Sequence, residues 1–180
     1  RQLGDGMARK KDNDVTALYS ALGSDLGNPA RAMSLANVSA LVAYAKGNKF
    51  GSQVYINHHP FAVWDIANAA VTASVSNPVP AGWTADLLGN FFSGLRPING
   101  VPIFEDGNIT IDSDDDAVGV IADKTALAVL TSIASEPEKE RDASLRAWEL
   151  VMVSDYGVFE LDDTKGAAVK FDASAPATTG

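Results

Sequence analysis

Residues 33–68 read MSLANVSALVAYAKGNKFGSQVYINHHPFAVWDIAN, two helix signals flanking a short strand signal. Ser34 stands just before Leu35, Val38, Leu41, Val42 and Ala45, which recur at helical spacing, and Lys46 and Gly47 close the run. A serine N-cap, a lysine in the last turn and a glycine beyond it predict a helix over about 35–46. Gly47 to Gly51 is then a tight loop into the β-rich run SQVYIN. Pro60 suits the first turn of a second helix, where its missing N–H would be unpaired anyway, and Phe61, Trp64, Asp65 and Ala69 continue the helical spacing. Phe61 and Trp64 are the expected anchors of that helix.

The only histidines, His58 and His59, fall at the corner between strand and helix. Neighbouring strand residues point to opposite faces, so the pair cannot easily supply two ligands of one tetrahedral metal site. With no cysteine and no third histidine, any remaining ligands would have to be carboxylates. No G-x-S-x-G elbow places a serine beside either ring. The pair therefore reads as a strand end leading into a helix.

Outward from this stretch, Leu3, Met7, Val15, Leu18, Tyr19 and Leu22 predict an amphipathic helix from the first residue to about 22, with ARKKDND as a solvent or partner face. After the second helix, prolines at 78, 80 and 97 and glycines at 82, 89, 94 and 100 mark an excursion with little regular structure. GVPIFED predicts a strand and GNITIDSDDD a loop. AVGVIADKTALAVL predicts one or two strands with a turn near Asp123 to Thr125, and SEPEKERD a polar connection. The closing part reads as a meander: a strand to about Ser154, a break at DYG, then VFEL and AAVKF joined by the turn DDTKG. Trp148, Tyr156 and Gly157 are expected in core and turn positions, and the tail ASAPATTG is expected to fray. Helices and strands mix without regular βαβ alternation, which predicts an α+β domain.

At 180 residues with 46% hydrophobic and 21% charged, the chain is large enough for one real core. No apolar run approaches the roughly 20 residues needed to span a bilayer, so no membrane partner is expected. Arg1 in place of an initiator methionine is what a fragment or a processed product would show. The net charge of -9 is uneven: residues 1–50 carry seven Lys/Arg and four Asp/Glu, leaving seven and nineteen for the rest. Such an acidic balance opposes tight binding to nucleic acid. In EF-hand register, Asp112, Asp114 and Asp116 would be calcium ligands with Asp123 last, but Ala117 occupies the glycine position, so DSDDD reads as a solvated loop. Phosphate-binding glycine motifs are missing. No catalytic, cofactor-binding or metal-binding residue is assigned.

The order of elements resembles the major capsid proteins of tailed bacteriophages, the Hong Kong 97-type fold shared with encapsulins. RQLGDGMARKKDNDVTALYSALG is similar to the end of the family's spine helix, and residues 33–68 to its axial helix, strand and helix. RPINGVPIFED is similar to the strand before a variable loop, and residues 117–171 to the closing part with its Y-G and last hairpin. The N-terminal arm and extended loop that lace family subunits together are absent from this sequence.

The resemblance implies an α+β fold divided into the spine helix end at 1–27, an axial domain at 28–134, a peripheral strand and hairpin at 135–172 and a frayed tail at 173–180. It implies a structural protein, not an enzyme, that self-assembles as hexamers and pentamers into an icosahedral shell around double-stranded DNA. The DNA would be contacted weakly and non-specifically by an acidic inner wall. Portal, scaffolding and decoration proteins are the further partners, and the virion, assembled in host cytoplasm, is the location. Arg9, Lys10, Lys11, Arg141, Asp142 and Arg146 are the candidate subunit contacts, and the histidines could titrate near neutral pH at a subunit junction. The alternatives are an encapsulin-like compartment and a metal-dependent hydrolase using His58, His59 and the 112–116 loop.

Overall fold

A computed structural model of the protein describes residues 2–76 and 100–176, with side chains through Ala69 in the helix that ends at Ser76. The weakly patterned excursion expected over residues 71–100 begins instead as helix through Ser76, and its residues 77–99 lie outside the described residues, as does the end of the tail. The architecture is α+β, as expected: helices α1 (Gln2–Thr16), α2 (Leu35–Gly47) and α3 (Pro60–Ser76) accompany a mixed five-stranded sheet and a long two-stranded ribbon. The sheet strands are β1 (Asp25–Asn28), β2 (Val54–His58), β3 (Ile103–Glu105), β4 (Asp116–Asp123) and β7 (Gly166–Asp172), and the ribbon strands are β5 (Leu127–Asp142) and β6 (Ala147–Glu160).

The helix–strand–helix stretch folds as its residues dictate. Ser34 Oγ accepts from the Asn37 N–H at 3.2 Å, capping α2, whose Val38, Leu41, Val42 and Ala45 are buried. At the other end the Asn48 and Phe50 N–H groups donate to the carbonyls of Tyr44 and Ala45, at 2.9 and 3.0 Å. Pro60 opens α3. The buried face of α3 is Ala62, Val63 and Ile66, whereas Trp64 is 43% exposed and Phe61 half-buried, so the expected tryptophan anchor is corrected. Consecutive positions on a helix diverge by about 100°, and seating Val63 inward turns Trp64 out.

The sheet runs in the order β1-β7-β4-β2-β3, with β1 parallel to β7, β3 parallel to β2, and the remaining pairs antiparallel. β4 and β7 are its centre, and Val120, Ile121, Ala167, Val169 and Phe171 are buried there beside Met33, Val38 and Ile56. Gly119 of β4 is required by close approach: a methyl there would run into the His58 ring and the Asn57 carbonyl. Gly119→Ala is expected to destabilise the fold by about 2 kcal/mol, the usual cost of overpacking a tight core, as read from a denaturant melt.

Three expectations change. The first helix stops at Thr16 and tightens into a 3-10 turn over Tyr19–Ala21, because Tyr19 and Leu22 leave the helix face to enter the sheet core, where the Asn57 amide donates to the Tyr19 hydroxyl at 3.0 Å. SEPEKERD is not a connection but the far half of β5, and DYG does not break β6, which runs through it. VFEL and AAVKF do not form a hairpin: β6 pairs with β5, while β7 crosses into the sheet between β1 and β4. β7 is drawn away by its ladder hydrogen bonds to β1 and β4, and the polar run has its own reason. A ribbon exposed on both faces has no buried side to impose apolar alternation, so its polar half carries no strand period. β1 was not foreseen, since Asp25-Leu26-Gly27-Asn28 has no strand pattern and is held by parallel pairing to β7.

Candidate functional site

The histidine corner is part of the core. His58 is fully buried; its Nε2 donates to the Val169 carbonyl at 3.2 Å and its Nδ1 accepts from the His59 N–H at 3.0 Å, which occupies both ring nitrogens and leaves a neutral imidazole. Burial pushes its pKa down to about 4, partly opposed by the Val169 bond. His58 therefore does not titrate near neutral pH in the folded chain, and it faces the chain's own sheet instead of a subunit junction. Burial lowers His59 as well, and its Nδ1 accepts from the Phe61 N–H at 3.2 Å, fixing the first turn of α3.

The acidic loop is closed on itself. Asp112 accepts from the Asp114 and Asp116 N–H groups at 2.9 and 3.0 Å, and Asp115 takes the left-handed conformation at φ 63. Among the described residues no three His, Asp or Glu side chains converge as a metal site would require. The hydrolase alternative thus finds His58 and His59 buried at a strand end and the carboxylates in a separate turn.

The charged candidates occupy two places. On α1, Lys10 pairs with Asp14 one turn on, and Lys11 Nζ reaches Ser135 Oγ at 3.2 Å and lies 5.1 Å above the Tyr156 ring. The Tyr156 hydroxyl donates to Asp14 at 2.6 Å, which raises the phenol's pKa, while Lys10 and then Tyr156 hold the Asp14 carboxyl below its ordinary value. Lys10, Lys11, Asp14 and Tyr156 thus clamp α1 onto the near half of the ribbon. Arg9 is exposed on the same helix. Arg141, Asp142 and Arg146 lie not before the long strand but at the far tip of the ribbon. Asp142 accepts from the Ser144 and Leu145 N–H groups at 2.7 and 3.2 Å, closing the turn, and Arg146 is left-handed at φ 50. Trp148, expected in the core, is 60% exposed, with Lys139 Nζ 4.2 Å above its ring. Sequence reading missed Lys139 and Trp148 as a surface pair because only the cross-strand register brings them together, and it missed Tyr156 as the ribbon's contact with α1.

No helix among the described residues is long and apolar enough to cross a membrane. No known family's sequence profile matches the chain, and no curated protein matches it in sequence. Its structure, in contrast, superposes on solved shell proteins along nearly its whole length. The chain has the Hong Kong 97-type shell fold, found in phage capsids and encapsulins. It is similar to a chain from Mycobacterium phage Che8 at TM-score 0.67 and 18% identity, covering 94% of this chain and 60% of that one. The acidic stable capsid of Helicobacter pylori bacteriophage KHP30 matches at TM-score 0.68 and 10% identity, over 96% and 68% of the two chains. The holo-SrpI encapsulin complex from Synechococcus elongatus PCC 7942 matches at TM-score 0.65 and 13% identity, over 97% and 65%. The chain thus spans about three fifths to two thirds of the length of these structures.

Proposed function

We propose that the protein is the major capsid subunit of a tailed bacteriophage, a structural protein that assembles with itself into an icosahedral shell enclosing double-stranded DNA. The observation that carries the reading is the superposition on the capsid structure of Helicobacter pylori bacteriophage KHP30 over 96% of the chain at TM-score 0.68. The far half of the ribbon supports it, since a two-stranded ribbon that runs beyond α1 with both edges and both faces in solvent is stabilised by neighbours more than by itself. In this reading α1 and the β5–β6 ribbon make up the peripheral part, and the five-stranded sheet with α2 and α3 the axial part. Arg9, Lys10, Lys11, Arg141, Asp142 and Arg146 remain the proposed subunit contacts, through the exposed spine helix and the ribbon tip.

Hexamers and pentamers of this chain, a weakly held DNA cargo repelled by the acidic surface, and portal, scaffolding and decoration proteins are the proposed partners. The virion is the proposed location, after assembly in the host cytoplasm. An encapsulin-like compartment is the second reading, favoured by the SrpI superposition at TM-score 0.65. Electron microscopy of the product of the full gene tests both: closed icosahedral shells are expected, and a monodisperse monomer overturns the shell reading. Shells from infected cells that hold DNA select the phage capsid, and shells that hold a protein cargo select the compartment.

A further inference from the structure

The far half of the β5–β6 ribbon has two faces of opposite character. Residues opposite each other in an antiparallel ladder share a face. The register sets Arg141 against Trp148 and Lys139 against Leu150 on one side. On the reverse side it sets Glu140 against Glu149, Glu138 against Val151 and Glu136 against Val153. The first face is cationic around an exposed indole, with the Lys139 ammonium 4.2 Å and the Arg141 guanidinium 6.0 Å from the Trp148 ring centre. The reverse face is acidic around Val151 and Val153, both exposed. Among the described residues no ion pair reaches Glu138, Glu140 or Glu149. Glu140 directly facing Glu149 is a like-charge pair, which works against the ribbon when it stands alone. α1 covers neither face here, since its polar contacts end at Ser135 and Tyr156.

We infer that the cationic face of one ribbon, through Lys139, Arg141 and Trp148, seats on the acidic face of a second copy's ribbon, through Glu138, Glu140 and Glu149. Each face holds what the other lacks, and the same chain supplies both. Nucleic acid would satisfy the cationic face alone and leave the like-charged glutamates uncompensated. The contact joins two different patches, so it is heterologous: every copy uses both faces, and the closed shell of the proposed function requires the rotation between successive copies to close into a ring. Trp148 against Val151 and Val153 forms the apolar centre, and the charges fix orientation and reject the reversed stacking. The inference rests on the shell reading and adds which surfaces of the subunit meet.

The test is a charge swap in the full-length protein, with shell yield measured by sedimentation and electron microscopy. Lys139→Glu with Arg141→Glu, and separately Glu138→Lys with Glu140→Lys, are each expected to lower shell yield at least about tenfold, because like charges then face one another in every copy. The chain carrying all four changes is expected to recover to within about threefold of the parent, since complementarity is restored with reversed sign. Circular dichroism checks folding, and if a reversal misfolds, Lys139→Gln with Arg141→Gln takes its place with the same expected direction. Parent shells together with single reversals that leave yield unchanged, or with a quadruple variant that is not rescued, overturn the inference alone. Cationic-face reversal that spares yield but lowers the nucleic acid retained gives that face to nucleic acid and also overturns it. A parent chain that forms no shell overturns the shell reading and the inference with it.

Discussion

Phe171→Ala is expected to lower the unfolding free energy by about 3–5 kcal/mol, the range for removing a fully buried aromatic from a packed core. Phe171 is 1% exposed in β7, paired with Ala117 of β4 on one side and Asn28 of β1 on the other. Its ring packs 6.1 Å from that of His58 and closes the inner wall of a groove lined by Leu26, Leu41 and Tyr44. Backbone pairing on both flanks prevents β7 from collapsing into the space left behind, which places the cost toward the upper end of that range. For a protein whose total stability is on the order of 5–15 kcal/mol, this is a large fraction, with a melting temperature lower by on the order of 10 °C. Denaturant unfolding of the variant checks it. A loss under about 1 kcal/mol would mean that the β7 centre does not hold the core together.

Acidification is expected to weaken the fold through His58. Above pH 6.5 the imidazole is neutral in both folded and unfolded chains, so its contribution to stability is fully present. As pH falls below 6.5 the unfolded chain takes up a proton that the buried ring refuses until about pH 4. The gap between 6.5 and about 4 corresponds to about 3 kcal/mol, lost progressively across that window and constant below it. Carboxylates titrate in the lower part of the same window, so the measurement is a difference. The unfolding free energy of the parent should fall more steeply from pH 6.5 to 4 than that of His58→Gln, by about 3 kcal/mol in total. Parallel pH profiles for the two proteins would show that His58 is not held neutral.

The two predictions share a cluster that the linear sequence shows only in part. His58 and Pro60 could be placed at a strand-to-helix corner from local signals alone, a proline that opens a helix and a β-rich run before it. Nothing local announces that Val169, more than a hundred residues on, accepts from that ring, or that Gly119 makes room for it. The candidate contacts divide in the same way. Lys10 and Lys11 were legible as a polar helix face, and Asp14 lies one turn beyond Lys10 on that same helix, but the Ser135 and Tyr156 contacts of Lys11 depend on where the ribbon lies. Arg141, Asp142 and Arg146 were legible as a polar cluster and became the tip of a ribbon only once β5 and β6 paired.

By itself the sequence determined the elements whose causes are local: the Ser34 cap and apolar stripe of α2, the Pro60 start of α3, the strands at 54–58 and 103–105, and the mixed α+β class. Caps, turns and periodicity act within a few residues, and their effect survives in any surroundings. Only the tertiary structure decided that α1 ends at Thr16, that β7 leaves its neighbour to lie between β1 and β4, and that the polar run 135–142 is strand. Each of those outcomes is set by partners distant in sequence. Core burial draws Tyr19 and Leu22 off the helix, ladder hydrogen bonds place β7, and a ribbon with no buried face is specified by pairing instead of by pattern.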